Sequence, residues 1–459
     1  MRVSVSAVSR WRKAVAVAGA AGGLVLGAAA PARANPMAEV ASAADAGDPL
    51  DLFARVDYDY ELDTSTLTRD SIGVGVGASD PIRHHQDLEF RGARHTITPR
   101  AELGVYHDTW LSIALPIIVT QSRDLTYASG VSAATSSTLR DGIVPTGGFD
   151  ASDPTVAPGG DTVFRGPSRS GLDQLHLGLA VAPMNQLRDD TKPTWKLGAE
   201  IRLAIGKVAR FDRNAPGSET GVGRGVHDLR LWTSVAKRRG PALGYFEAEW
   251  IFPLAMKGTS LFDDPGFGAT NAGPGQIGST GFGFALAVYE DAVSRTRVSL
   301  DVGSRIAAHF EGREYTEMWE ALAFAGDTRG AGPLVLDRDP VAAGVQAISY
   351  PGISNVENYL ETAASAKIRA ELGSHARFSF GVDLVWKSDH AITFADAGVD
   401  LPGCSTGASP CETDPNDLVT PGTKEVNPLY VPSVDLVGHR YYSENNFGLV
   451  VGVQAQALF

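Results

Sequence analysis

The stretch GLVVGVQAQALF (448–459) decides the fold. Leu449, Val451, Val453, Ala455, Ala457 and Phe459 share one face of an extended strand, while Gly448, Gly452, Gln454 and Gln456 fall on the other. A two-residue period of this kind marks a strand with unlike faces. Chain ends normally fray in water, yet this one ends on a bulky aromatic with no polar tail. Its apolar face needs a covering.

The same alternation recurs along the chain. In DLFARVDYDYEL (51–62), Leu52, Ala54, Val56, Tyr58, Tyr60 and Leu62 oppose Asp51, Phe53, Arg55, Asp57, Asp59 and Glu61. RHTITPRAELGVY (94–106) and the run from Trp110 to Val119 form a hairpin across the turn His107-Asp108-Thr109. Further strand-like runs lie near 172–183, 195–205, 226–236, 242–254, 278–288, 296–310, 357–369, 376–388 and 446–459. Short links at 185–193, 237–240, 289–294 and 371–375 alternate with long ones at 120–170, 206–222, 255–277, 312–356 and 390–444. Alternating short and long connections around roughly twelve antiparallel strands predict an all-β transmembrane barrel, with short periplasmic turns and long extracellular loops. Only a closed sheet satisfies the backbone of strands that cross hydrocarbon. Trp110 and Trp195 near short turns, with Trp250 and Trp386 toward the far ends, predict the two interfacial aromatic belts. Pro99, Pro116 and Pro253 oppose the scheme, because each removes a ladder donor. Bulges at the rims would absorb Pro116 and Pro253, and Pro99 falls nearer mid-strand.

The N-terminus supplies a destination. Arg2, Arg10, Arg12 and Lys13 precede the apolar run 14–30, and Ala32-Arg33-Ala34 follows as a small-x-small site. This order predicts a signal peptide over 1–34, cleaved after Ala34, rather than an N-terminal anchor. A short periplasmic segment (35–50) and the barrel (51–459) then form the exported chain, bound for the outer membrane of a Gram-negative cell. No Cys stands near the cleavage site, which argues against a lipoprotein. Removing 1–34 takes five basic residues and no acidic ones, so the net charge moves from −13 to −18. Such acidity excludes nucleic acid as a partner. No apolar run long enough for a spanning helix follows residue 34. Cys404 and Cys411, in LPGCSTGASPCETD (401–414), are expected to form a local disulfide in an oxidising compartment. A metal site would need more ligands than that stretch offers.

The faces opposite the apolar ones are charged. Alternation turns inward Arg55, Asp57, Asp59, Glu61, Arg94, Arg100, Glu102, His176, Lys196, Glu200, Arg202, Asp228 and Arg230. Later strands add Glu247, Glu249, Arg297, Asp301, Arg305, Glu361, Lys367, Arg377, Asp383 and Lys387. Either these charges pair into a closed plug, or they line a water-filled pore. Drying so many ions would cost several kcal/mol each before pairing, which favours water in the lumen. In REYTEMWEALAFAGD (313–327), Tyr315, Trp319 and Leu322 are spaced for one helical face. That helix is either a constriction folded into the mouth or a surface helix on the loop.

GLDQLHLGLAV (171–181) and GVHDLRLWTSVAK (225–237) share an opening of Gly, then Asp, then Leu-x-Leu. Together with TWKLGAEIRLAIG (194–206) and RAELGVYHDTWLSIALPI (100–117), they resemble the outer-membrane family associated with the meta-cleavage pathway of phenol degradation. The resemblance covers about residues 94–255 and the last strand. It implies a barrel of about twelve strands and passage of small hydrophobic or aromatic molecules. The chain departs from the family where its strand end Leu-Pro-Thr-Gly is replaced by LAIG (203–206), and in longer second and fifth loops. The segment 35–50 is short for a lumenal hatch.

The leading expectation is an outer-membrane channel for passive diffusion of small solutes, with lumenal charges setting selectivity. It needs no cofactor and no catalytic group. Its other partners are outer-membrane lipid and, through the terminal strand ending in Phe459, the barrel-assembly machinery. An enzyme on the barrel rim (lipase, deacylase or protease) is the alternative. No His-Glu-x-x-His occurs, the single Gly-x-Ser-x-Gly (403–407) falls within the Gly/Ser/Pro loop that carries Cys404 and Cys411, and Ser388-Asp389-His390 and His439-Arg440 are sequence neighbours only. A loop-displaying or adhesive barrel is a third class. Its acidic loop residues Asp327, Asp337, Asp339, Asp414 and Asp417 offer oxygen ligands without an EF-hand spacing.

Overall fold

The computed structural model describes residues 37–45, 48–71, 83–263, 272–328, 332–338, 343–396 and 427–459. The leader 1–34 and Cys404 and Cys411 lie outside the described residues. Twelve barrel strands follow in order: β1 (Leu52–Ser71), β2 (Arg83–Tyr106), β3 (Thr109–Ala114, resumed as Ile117–Tyr127), β4 (Gln174–Met184), β5 (Thr194–Ala204) and β6 (Val226–Arg239), then β7 (Ala242–Ala255), β8 (Ile277–Asp291), β9 (Thr296–His309), β10 (Tyr359–Leu372), β11 (Ala376–Lys387) and β12 (Tyr441–Leu458). Each pairs antiparallel with the next, and β12 returns to β1 from Leu458↔Phe53 to Tyr441↔Arg69. The sheet is closed, so no edge is left to hydrocarbon. Phe459 takes part in closure: it exchanges two backbone hydrogen bonds of 3.0 Å with Leu52.

The outer wall is apolar. Val56, Leu111, Ile113, Leu179, Phe282, Phe284, Ile368, Phe378, Phe380 and Val453 all point outward and are uncovered by protein. These are the residues that the two-residue period places on the apolar face. Trp250 and Trp386 join that outer surface. Trp110 does not. It is 5% exposed and packs inside on Val40, Ala41, Ala180 and Ala182. Alternation with the outward Leu111 already turned it inward, and the belt expectation fails at that position.

Several strands exceed the 9–11 residues that a bilayer requires. β1 and β2 have 20 and 24 residues, against shorter runs expected at 51–62 and 94–106. Their far ends leave the membrane and carry Leu67, Leu88 and Phe90 into an extracellular apolar core. Loops 128–173, 310–358 and 388–440 complete that core with Leu139, Phe149, Phe164, Leu322, Phe324 and Val434, among others. The helix foreseen in the fifth loop is α1 (Trp319–Ala325), and all seven of its residues are buried. It lies at the centre of the cap, so it is not a surface helix.

The prolines find local solutions. β2 and β3 hold one register across Pro99 and Pro116, from Arg100↔Ala114 to Ile97↔Ile117. The Pro99 carbonyl accepts from the Leu115 N–H at 3.1 Å. A strand residue's N–H and C=O face the same neighbour, so the donor Pro99 lacks is missing only toward β3. There Pro116 has already divided the strand. Pro253 pairs with Asp228 of β6, while the β7–β8 ladder ends earlier, at Ile251↔Ile277. Neither Pro116 nor Pro253 needs the rim bulge expected for it.

Candidate functional site

The expected short periplasmic segment turns into the barrel. Met37 and Ala38 pack on Ala236, Leu243, Ala285 and Tyr245, and Val40 and Ala41 pack on Trp110, Ala180, Phe53 and Trp232. The small Ala and Val side chains fit between the large wall residues Trp110, Trp232 and Tyr245. Two polar anchors fix the segment. Glu39 forms an ion pair with Arg377, and the Lys196 ammonium donates to the Glu39 carbonyl at 3.1 Å. At the rim, the Ser42 hydroxyl accepts from the Asp108 N–H (3.0 Å) and from Arg188 (3.1 Å). The Ser42 N–H donates to the Asp51 carboxylate at 2.8 Å. The Ser42 carbonyl lies where a β-carbon on Gly104 would come within 2.0 Å, so only glycine fits at 104. The segment is short, as the sequence implied, but it occupies the lumen.

Above it the lumen holds water-sized space. A lower chamber of about 300 Å³ lies among Arg55, Arg100, Glu102, Lys196, Glu200, Arg230, Glu247, Glu249 and Trp232. A second, of about 210 Å³, is lined by Tyr245, Glu247, Arg305, Lys367, Arg369 and Asp383. A vestibule of about 220 Å³ lies beneath the cap, between Asp63, Arg123, Glu317, Tyr359, Lys387 and His390. There Tyr359 is stacked between His309 and His390, with ring centroids 4.3 and 4.1 Å away.

Most of the charges turned inward by alternation are paired along the wall. Arg55 meets Asp57 at 2.9 Å, and Gln454 donates to Asp57 at 2.7 Å. Glu200, almost fully buried, gathers Arg100 (3.0 Å), Arg202 (2.9 Å) and His176 (3.7 Å), and Arg100 also reaches Glu102 at 3.6 Å. Arg230 holds Glu249 at 2.6 Å, and Ser279 donates to the same carboxylate. Asp301 accepts from Tyr245 (2.8 Å) and bridges to Arg369 (3.0 Å). Arg305 pairs with Glu361, and Lys367 reaches Asp383 at 3.7 Å. Asp228 binds Arg224 at 3.1 Å and Gln174 at 2.8 Å, and Arg94 reaches Asp173 at 3.8 Å. Arg297 is buried opposite Glu371 on β10. Lys387 lines the vestibule. Arg230–Glu249, Arg305–Glu361, Lys367–Asp383 and Arg369–Asp301 join adjacent strands, whose inward side chains stand side by side. Arg55–Asp57 and Arg202–Glu200 lie along one strand, and Arg100–Glu200 reaches across the lumen wall from β2 to β5.

Sequence reading missed several lumenal groups. Asp63, Arg369 and Glu371 continue runs it had read, Asp63 two residues beyond Glu61, and Arg369 and Glu371 two and four beyond Lys367. Tyr245 and Trp232 share faces with Glu247 and Arg230, and were passed over because the search followed charge. Arg123, Arg224 and Glu39 come from loop-proximal or N-terminal stretches whose position no periodicity announces.

The side chains named for a hydrolytic alternative make local structural contacts. The Ser388 hydroxyl accepts from the Leu360 N–H at 3.0 Å, His390 Nδ1 lies 2.7 Å from the Ser388 carbonyl, and the Asp389 carboxylate accepts from the Asn445 N–H. The three side chains make no relay. His439 lies 3.8 Å from Asp141, in a structural contact of the cap. No cluster of three metal-ligating side chains occurs among the described residues.

Fold and lumen together define a membrane-spanning β-barrel of twelve strands with an ionic interior. No protein-family model matches the chain, and no curated protein matches it in sequence. Solved structures to which it is similar include the COG4313 outer membrane channel from Pseudomonas putida F1, at 9% identity over 88% of this chain and 95% of that chain, with a TM-score of 0.36. A Pseudomonas aeruginosa FadL homologue follows at 8% identity, 88% and 90% coverage and a TM-score of 0.33. A deltaS2S3 mutant of the monoaromatic hydrocarbon channel TodX stands at 10% identity, 88% and 90% coverage and a TM-score of 0.28. Likeness at this level extends to an outer membrane protease of Escherichia coli. It describes the barrel fold and carries no argument about solute or reaction.

Proposed function

We propose that the protein is an outer-membrane channel through which small solutes diffuse passively. The observation that carries this reading is the set of chambers within a lumen lined by ionised side chains, of which the lower one alone holds about 300 Å³. A barrel serving only as a scaffold gains nothing from ions that cost several kcal/mol each to dehydrate. A pore gains from them, because polar walls replace the hydration of a passing solute. Aromatic solutes belong to the reading through the sequence resemblance and through Trp232 and Phe53, which line the same chamber. Export through a cleaved leader, delivery through the terminal strand, the pore-lining role of the inward charges and the 404–411 disulfide belong to the same proposal.

The test is conductance of refolded residues 35–459 in a planar lipid bilayer. The expected result is steps of uniform size that change when Asp57 and Asp59 are neutralised. A folded barrel, verified by heat-modifiable gel mobility, that leaves the bilayer silent in every salt overturns the channel reading.

A further inference from the structure

The lower chamber is unevenly satisfied. Its cations are committed to wall partners: Arg55 to Asp57, Arg100 to Glu200, Arg230 to Glu249, and Lys196 to the Glu39 carbonyl. Glu247 is different. Among the described residues it has no hydrogen bond and no cation within ion-pair distance, and it lies against the bare backbone of Gly281 on β8. It borders both the lower chamber and the second one, so its carboxylate stands at their junction.

Beside it the chamber offers an aromatic face. Trp232 is pressed to the wall at Gly198, where a β-carbon would come within 2.3 Å of the indole; Val40 and Ala41 pack against part of the ring, and the ring also lines the chamber. Its face already attracts a cation, since the Arg230 guanidinium lies 5.7 Å from the ring centre while anchored on Glu249.

The route to the chamber has the same sign. Asp59, Glu61 and Asp63 follow one another at alternate positions of β1, and no ion pair forms at any of them among the described residues. Their register partners on β12 are Gly452, Val450 and Gly448, which have no charge to offer. On β2, Asp59 faces Thr96 and Asp63 faces Gly92. Glu61 faces Arg94, which turns to Asp173. Asp63 borders the vestibule, so this line runs down from it. Arg123 and Lys387 stand in the vestibule as counter-charges, above the chamber.

We propose that the lower chamber is a binding site for small organic cations that carry an apolar or aromatic body, with Glu247 taking the positive charge and Trp232 the ring. The proposal rests on the channel reading for its biological meaning, but not for its test. An unpaired carboxylate at the wall gains an ion contact when such a solute enters, and the indole adds a cation–π contact. An anion of the same size gains neither, because the guanidiniums already hold carboxylates.

The experiment is a tryptophan-fluorescence titration of the folded barrel in detergent, with benzyltrimethylammonium against benzenesulfonate. The cation should give a saturable change, with a dissociation constant at least about tenfold below that of the sulfonate. Glu247→Gln should raise that constant about tenfold, and Trp232→Phe should remove most of the signal. Equal or tighter binding of the sulfonate overturns the proposal, as does unchanged affinity in a folded Glu247→Gln barrel. Should that variant fail to fold, the reversal potential of the unmodified protein in a potassium chloride gradient decides. Preference for potassium supports the proposal, and preference for chloride or none overturns it. Saturable cation binding by a barrel that never conducts defeats the channel reading alone, while conduction without cation binding defeats only this inference.

Discussion

The two ends of the barrel are closed by opposite physical means. At the extracellular end, three loops and the projecting strand tips bury a continuous apolar core, as a small soluble domain does. At the periplasmic end, a few residues enter the lumen and are held by an ion pair, a lysine and a serine clasp. The cap buries many large side chains, each worth about 1.5–3 kcal/mol. The inserted segment buries Met, Val and Ala around one charged anchor. This contrast teaches that the cap should behave as fixed structure and the segment as the weaker closure.

The cap's ion pairs sharpen the contrast. Arg169 and Glu320 are almost fully buried and meet at 2.7 Å, and Arg169 also donates to the carbonyls of Glu219, Gly221 and Arg210. Its guanidinium lies 4.7 Å from the Trp319 ring. Arg69 similarly ties β1 to Asp141 at 2.7 Å and to the Ser137, Ser433 and His439 carbonyls. Each satisfies nearly all its donors, the condition under which burying a charge is tolerated.

The largest effect is expected at Arg169. Arg169→Ala leaves Glu320 charged and dry, at a cost of about 3–5 kcal/mol to the cap. Loops 128–173 and 310–358 should become protease-sensitive on the cell surface, while heat-modifiable mobility shows the barrel intact. Retained resistance would mean that the cap does not depend on this pair. Leu322→Ala comes next. It removes a wholly buried side chain of α1 and should cost about 2–5 kcal/mol, read as a lower denaturant midpoint for loop cleavage.

Gly104→Ala addresses the other end. The added methyl meets the Ser42 carbonyl, a strain of about 1–3 kcal/mol that the weaker closure should relieve by leaving. The expected outcome is higher conductance, together with faster thiol labelling of a Val40→Cys reporter. Unchanged labelling would equate the two closures and end the comparison.

The smallest effect concerns pH. Burial in the cap pushes the Asp435 carboxyl up to about 7, against the opposing pull of the Val431 N–H and Arg313. The folded cap therefore favours the neutral acid. The cap's stability is greatest below the ordinary carboxyl value of 3.8 and falls as pH rises through about 7. Loop protease resistance should decline between pH 5 and 8, and Asp435→Asn should flatten that decline. A pH-independent wild type would remove Asp435 from the account.

Legibility in the sequence followed the same division. The membrane-spanning strands were readable because lipid on one side and water on the other impose a strict two-residue period. Leu177, Leu179 and Val181 face out between His176, Gly178 and Ala180 for that reason. The inward charges were read by the same rule, and many of them meet as ion pairs. The cap was not readable. Its core joins Leu67, Phe164, Phe324 and Val434, hundreds of residues apart, and no local period records a contact between loops. The turn of Glu39 into the lumen was hidden for a similar reason, since its partner Arg377 lies on the eleventh strand.

By itself, then, the sequence determined a closed barrel, its strand order and which side chains meet lipid and which meet water, because each follows from spacing along a single strand. The tertiary structure alone decided which charges pair, which have no ion-pair partner among the described residues at Glu247 and along β1, and how each end is closed. Those outcomes depend on register between strands and on where loops fold back, and both are fixed by contacts between residues far apart in the chain.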